Sequence, residues 1–285
     1  MRLALIQPRS ASGAGEQSNL DDALGWLVRA ADAGADLVVF PECYPGPANP
    51  INSYDSIAAI AEKAAELKVH VVAGRIEPAD DDRYYVTLHL IDDEGETVGV
   101  YRRTTPNGPY IYRDIPAWDF DYQSGADEPA VYDTKLGRIG MLVCSEVYMP
   151  ELARVLAVKG ADLILFPVGG SVNELLPSWR TVLHARAIEN LVYTGASQNL
   201  YDEGEEGVGQ IAGPEGVLES RTDEGMIIAD LDMDRLNFLR AEDEKVEFPK
   251  RYATVPGLHR WRRPELYGPL MNETSDVQGD VAKKG

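Results

Sequence analysis

An α/β protein with layered sheets and helices on their outer faces is predicted by three features of the sequence. Apolar runs rich in β-branched residues alternate with amphipathic stretches, the alternation restarts in the second half, and hairpin signals follow each half. The first run, residues 2–7 (RLALIQ), is ended by Pro8, and residues 18–33 then place Leu20, Ala23, Leu24, Leu27, Ala30 and Ala31 at helical spacing before Gly34 stops the helix. Residues 36–40 (DLVVF), closed by Pro41, form the next strand, and a helix at about 54–67 and a strand at 69–74 repeat the unit. YVTLHLID and TVGVYRR flank Asp93-Glu94-Gly95, whose glycine can take the positive φ of a hairpin turn.

A connection rich in Pro, Gly and aromatic residues runs from Thr104 to about Gly125; loops of this length inside a domain are more often functional than idle. The second half begins with a paired turn around Lys135-Leu136-Gly137 and the strand 139–144 (IGMLVC). A helix at about 150–159, a strand at 161–167, a helix at about 176–190, the strand LVYTGASQ, a hairpin turning at Pro214-Glu215-Gly216 and a last strand MIIADLD follow. One domain is expected over residues 1–271, with 272–285, almost without apolar residues, as a polar disordered tail.

Composition narrows the function classes. The formal net charge of −20, from 47 acidic and 27 basic residues, repels phosphate backbones and anionic lipids, so neither nucleic acid nor membranes are expected partners. An acidic surface with only eight lysines also fits a high-salt cytoplasm, although an Arg-for-Lys bias can follow from genomic GC content. No stretch approaches the roughly 20 apolar residues of a membrane span, and the opening apolar run is too short for a secretion signal, so a soluble, cytoplasmic protein is expected. The two cysteines, Cys43 and Cys144, are not spaced as a disulfide framework or a metal cluster, which points to a reducing compartment.

Cys144 ends an apolar strand and enters a turn before a helix, a place where a nucleophile is exposed at the carboxyl edge of a sheet beside free backbone amides. An unpaired cysteine on such a strand is also commonly a small core residue. Glu42 ends another apolar strand and delivers a carboxylate to the same edge, although such a residue taken alone is more often solvated in a loop than placed for work. The histidines His70, His89, His184 and His259 show no ligand spacing, and Gly13-Ala14-Gly15 lacks a phosphate-loop fingerprint, so no cofactor or metal is expected. A Cys144–His184 pair is the alternative dyad.

Beyond these residues, the chain resembles the nitrilase superfamily of carbon–nitrogen hydrolases over nearly its whole length. The resemblance rests on Phe40-Pro41-Glu42, Gly99-Val100-Tyr101-Arg102-Arg103, Leu136-Gly137-Arg138-Ile139-Gly140 leading to Cys144, Pro150-Glu151, Arg186-Ala187-Ile188-Glu189-Asn190, Gly213-Pro214-Glu215-Gly216-Val217-Leu218 and Arg263-Pro264-Glu265-Leu266-Tyr267, in this order. It implies a four-layer α-β-β-α sandwich, a Glu-Lys-Cys catalytic set without cofactor, Glu42 as general base, Cys144 as nucleophile, and a homodimer or higher homo-oligomer assembled partly through the segment after Cys144. The family's lysine falls on Arg103, which keeps charge and donors but not shape. Its second glutamate falls in Ala117-Trp118-Asp119-Phe120-Asp121-Tyr122, where Asp119 is the candidate replacement and Asp121 the alternative. The family's Asn-bearing strand motif is replaced by Tyr85-Val86-Thr87, and a serine by Gly209.

The resulting expectation is a cysteine-dependent hydrolase of non-peptide carbon–nitrogen bonds that acts on a small, uncharged or cationic amide through a thioester. Glu42, Arg103 and Cys144 are the catalytic candidates; Trp118, Asp119, Glu146, Tyr148 and Trp179 are substrate contacts, with Tyr110, Tyr112 and Phe120 as further pocket candidates or core. The alternatives are a nitrilase, an acyl transferase, or a silent binding module in which Arg103 has ended catalysis.

Overall fold

Side-chain alternation along the first strand separates two apolar cores. In the computed structural model, which describes residues 1–80, 82–105, 123–170, 172–241 and 251–271, Leu3 and Leu5 of β1 (Arg2–Gln7) pack into one cluster and Ala4 and Ile6 into another. Helices α1 (Ser18–Asp32) and α2 (Ser56–Leu67) close the second cluster through Ala23, Leu27 and Ala30 and through Ile57, Ile60 and Ala64. The Asp55 carboxylate caps α2 by accepting from the Ala58 amide at 3.1 Å, and Gly34 at φ +77° ends α1.

The first sheet contains β1, β2 (Leu37–Val39), β3 (His70–Pro78), β4 (Tyr84–Ile91), β5 (Thr97–Arg102) and β12 (Gly225–Asp230), in the order β12-β1-β2-β3-β4-β5. Strands β1 to β3 are parallel, whereas β3–β4 and β4–β5 are antiparallel. Two reversals return β5 to the direction of β2, so the chain leaves both at the same edge. For this reason Glu42 and Arg103, 61 positions apart, emerge together.

The second sheet has the order β11-β10-β9-β8-β7-β6, built from β6 (Val131–Thr134), β7 (Gly137–Met141), β8 (Leu163–Leu165), β9 (Tyr193–Ala196), β10 (Gln210–Gly213) and β11 (Gly216–Ser220). Its Ile139, Met141, Leu163 and Leu165 share one cluster with Leu3, Leu5, Leu37 and Val39, which packs the sheets face to face. Helices α3 (Pro150–Val158) and α4 (Leu176–Asn190) cover the outer face. Close packing there is visible at Gly140, where a Cβ would lie 2.9 Å from Leu156, and at Thr194, whose hydroxyl donates to the Leu183 carbonyl at 3.2 Å. This is the four-layer α-β-β-α sandwich that the resemblance implied.

Several boundaries differ from the sequence reading. The strands expected at 36–40, 139–144 and 161–167 are shorter because the chain bends at the carboxyl edge, where single bonds such as Phe40 N–H to Val72 O (2.9 Å) and Val168 N–H to Ser197 O (2.8 Å) continue the pairing. The last strand, read as the end of the second half, instead returns to the first sheet and pairs with β1 from Arg2↔Asp230 to Gln7↔Gly225. Helix α5 (Met233–Arg240) was not anticipated; Asp232 caps it, and Leu236 and Leu239 bury one face. The tail expected at 272–285 and most of the 104–125 connection, residues 106–122, lie outside the described residues. Among the described residues no helix is long and apolar enough to cross a membrane.

Behind Glu42 the chain folds tightly against β3. The Gly74 amide donates to the Tyr44 carbonyl at 2.8 Å, and a Cβ at Gly74 would sit 2.6 Å from the Cys43 nitrogen. Gly74→Ala is therefore expected to destabilise the fold by about 1–3 kcal/mol and to displace the Glu42 turn, read as a lower urea midpoint together with loss of turnover.

Candidate active site

Three chain segments reach the site from the ends of strands. Beyond β7, the Leu142 and Cys144 amides donate to the Leu165 and Pro167 carbonyls at 2.9 and 2.8 Å. At Cys144 the backbone swings to φ +51° and enters the 3-10 turn Cys144–Tyr148. A non-glycine residue in this region is strained and is held there by its surroundings. Cys43, directly after Glu42, has a similar φ of +52°. Asn199 braces the Glu42 turn, donating from its side chain to the Glu42 carbonyl at 2.8 Å while accepting from Ser10 Oγ at 2.7 Å.

The sequence-predicted trio converges. Arg103, 1% exposed, donates from Nη1 to Glu42 Oε1 at 3.0 Å and from Nη2 to Ser145 Oγ at 2.6 Å. The Cys144 thiol lies where the Glu42 charge acts on it, whereas His184 Nε2 has no hydrogen-bond partner among the described residues. Gly169, which the sequence reading missed, lies with its backbone against Glu42, and its amide acts to lower both the Glu42 carboxyl and the Cys144 thiol. A Cβ there would be 2.5 Å from Glu42 Oε2, so only glycine fits. The Gly169-Gly170 pair after a buried strand was the signal that could have found it.

Burial dominates the electrostatics. It pushes the Cys144 thiol up to about 12, with the Glu42 charge acting in the same direction and Arg103 against both. Burial also raises the Glu42 carboxyl above the usual range, opposed by Arg103 and by the Cys144 thiol. The sulfur thus keeps its proton at neutral pH, with the Glu42 charge acting on it. Cys43, 4% exposed and with its thiol pushed well up by burial, belongs to the core.

The expected substrate contacts divide. Glu146 does not have the surroundings of one: it is 0% exposed and both oxygens are engaged by the protein. Oε2 accepts from the Tyr101 hydroxyl at 2.8 Å and the Val143 amide at 2.7 Å. Oε1 accepts from the Thr104 amide at 2.9 Å, the Thr104 hydroxyl at 2.8 Å, the Thr105 amide at 3.0 Å and the Thr105 hydroxyl at 3.3 Å. These donors flank Arg103 and Cys144, so Glu146 pins the two segments together.

Trp179 is also core, 3% exposed and packed edge-on against Tyr148 at 5.4 Å between ring centroids. Tyr148 is half-buried and close enough to Cys144 for a thiolate there to raise its hydroxyl, after burial itself. Its hydroxyl is buried and has no hydrogen-bond partner among the described residues. Tyr110, Tyr112, Trp118, Asp119, Phe120 and Asp121 lie outside the described residues. Among the described residues no group of three or more His, Cys, Asp or Glu side chains could hold a metal ion.

The sequence profile of the carbon–nitrogen hydrolase family matches residues 2–241. The chain is 27% identical to omega-amidase NIT2 of Bos taurus, over 85% of this chain and 92% of that one. It is 29% identical to N-carbamoylputrescine amidase of Arabidopsis thaliana, over 86% and 87%. A solved structure of a mutant of the amidase from Nesterenkonia sp. AN1 in complex with butyramide superimposes with a TM-score of 0.72 at 25% identity, covering 83% of this chain and 93% of that one.

The bonding around Glu146 leads to a prediction. Glu146→Gln keeps the shape but turns one acceptor into a donor facing buried donors, so a loss of about 2–4 kcal/mol in stability is expected, read as a lower thermal midpoint than wild type.

Proposed function

The chain belongs to the carbon–nitrogen hydrolase family, and from that membership we propose that it hydrolyses the carbon–nitrogen bond of a small amide with Cys144 as nucleophile, Glu42 as general base and Arg103 as the cation beside them. The observation that carries this reading is the buried ion pair between Arg103 Nη1 and Glu42 Oε1 at 3.0 Å, beside the turn where Cys144 stands and where the Glu42 charge acts on the thiol. Glu42 takes the thiol proton as sulfur attacks the carbonyl carbon, and the tetrahedral oxyanion forms beside the Arg103 guanidinium and the backbone amides of the nucleophile turn. Glu42 then passes the proton to the leaving nitrogen, which departs as ammonia or an amine and leaves a thioester. Water, deprotonated by Glu42, attacks the thioester; the carboxylic acid leaves and the sulfur regains its proton.

The relatives' names, omega-amidase and N-carbamoylputrescine amidase, and the butyramide bound in the Nesterenkonia enzyme favour an amide over a nitrile. The net charge of −20 favours neutral or cationic substrates over polyanions. Two free cysteines suit a reducing, cytoplasmic setting. A homodimer is supported by the exposed apolar side chains Met149, Val158 and Ile188 around α3 and α4, with Trp261 and Leu266 beyond them.

Ammonia release from an ω-amide, an N-carbamoyl amine, butyramide and the matching nitrile, with Cys144→Ala as control, tests the reading. Release is expected from at least one amide, more than from the nitrile, and is abolished in the control. Because Glu42 acts unprotonated and burial raises its pKa, kcat/KM is expected to rise with pH through a value above the ordinary glutamate range. Absence of release by folded protein from every substrate would overturn the proposal in favour of a binding module.

A further inference from the structure

We propose that Ser145 is a positioning residue that fits this site to an arginine, by holding the second arm of the Arg103 guanidinium while Glu42 holds the first. The proposal rests on the hydrolytic reading above for its kinetic consequence, but its geometry stands apart from any substrate.

An ammonium is a point charge, and one carboxylate suffices to aim it. A guanidinium spreads its charge over a rigid planar fork, so a single partner on one arm leaves the plane free to turn about the side chain. In this site the arms diverge. Nη1 reaches Glu42 Oε1 at 3.0 Å, and Nη2 reaches Ser145 Oγ at 2.6 Å. Glu42 stands at the end of β2 in the first sheet, whereas Ser145 follows Cys144 beyond β7 in the second, so the two bonds stretch the guanidinium between base and nucleophile. One residue therefore stands directly after Cys144 in the chain and gives a side-chain acceptor to the cation.

The neighbouring residue completes the clamp. Glu146 fixes the backbone of the Arg103 segment through Tyr101, Thr104 and Thr105, while Ser145 fixes the far end of the side chain. Without the Ser145 hydroxyl, the second arm loses its 2.6 Å acceptor, and bidentate pairing with the Glu42 carboxylate is the geometry that arginine favours. Such a collapse would draw the cation away from the nascent oxyanion and weaken Glu42 as a base, since a closer cation lowers a carboxyl pKa.

The experiment compares wild type with Ser145→Ala, Ser145→Thr, Arg103→Lys and the Arg103→Lys/Ser145→Ala double variant. Their readouts are kcat and KM on the best amide, the pH profile of kcat/KM, and the pH-dependent rate of iodoacetamide alkylation of Cys144 followed by mass spectrometry. Ser145→Ala is expected to lower kcat by about tenfold or more with KM within about twofold, to move the acid limb to lower pH, and to be largely rescued by threonine. The arginine-to-lysine exchange is expected to cost about tenfold with Ser145 present and less than about threefold with alanine there. Thermal unfolding verifies that each variant is folded, and Ser145→Gly replaces the alanine variant if that one is not.

Equal kcat for Ser145→Ala and wild type, or an arginine-to-lysine cost that is the same in both backgrounds, would overturn the proposal. If wild type hydrolyses no amide, the function fails but the alkylation arm still decides. Non-additive changes in Cys144 alkylation would sustain the Ser145–Arg103 coupling, and additive ones would remove it.

Discussion

A single buried cation ties the two sheets together where they meet at the site. Arg103 leaves β5 of the first sheet and bonds both to Glu42, at the end of β2, and to Ser145, beyond β7 of the second sheet. At 1% exposure it has exchanged its hydration for these partners, and a buried charge is tolerable only when such partners are in place. The arrangement therefore requires the edges of both sheets to be in register, and the surrounding structure enforces that register.

Small residues and a second buried carboxylate do much of the enforcing. Gly74 lets the chain after Glu42 lie directly on β3, and Gly169 brings its backbone against Glu42 where no side chain fits. Glu146 joins the Arg103 segment to the nucleophile turn, using acceptor capacity that a substrate contact would have needed free. Tyr148, backed by Trp179, is the described aromatic residue next to Cys144 that still carries an unpartnered polar group.

The electrostatics follow from the same burial. A thiol pushed up to about 12 is inert by itself, which protects the cysteine from adventitious chemistry. In the proposed mechanism it becomes nucleophilic by giving its proton to the Glu42 carboxylate. Arg103 favours both charged forms, so its distance from each sets how the proton is shared. An acidic exterior and one inward cation thus play separate parts: the first biases which molecules approach, the second what happens to the one that binds.

The alternation of strand and helix, the hairpin at Gly95, the turn at Gly216 and most helix positions were legible in the sequence, because side-chain period and turn residues are local properties. Family motifs also marked Glu42, Arg103 and Cys144 as one set. Tertiary structure decided the rest. The return of β12 to the first sheet depends on partners more than 200 positions apart, and α5 is a short helix held by its cap and two buried leucines. The burial of Glu146 and Trp179, the close approach of Gly169 to Glu42 and the bond from Arg103 to Ser145 were likewise outside the reach of spacing. A sequence states which chemical groups a chain owns, but whether a carboxylate meets a ligand or six protein donors, and which hydroxyl takes the second arm of an arginine, depends on distances that exist only when the strand ends are brought together.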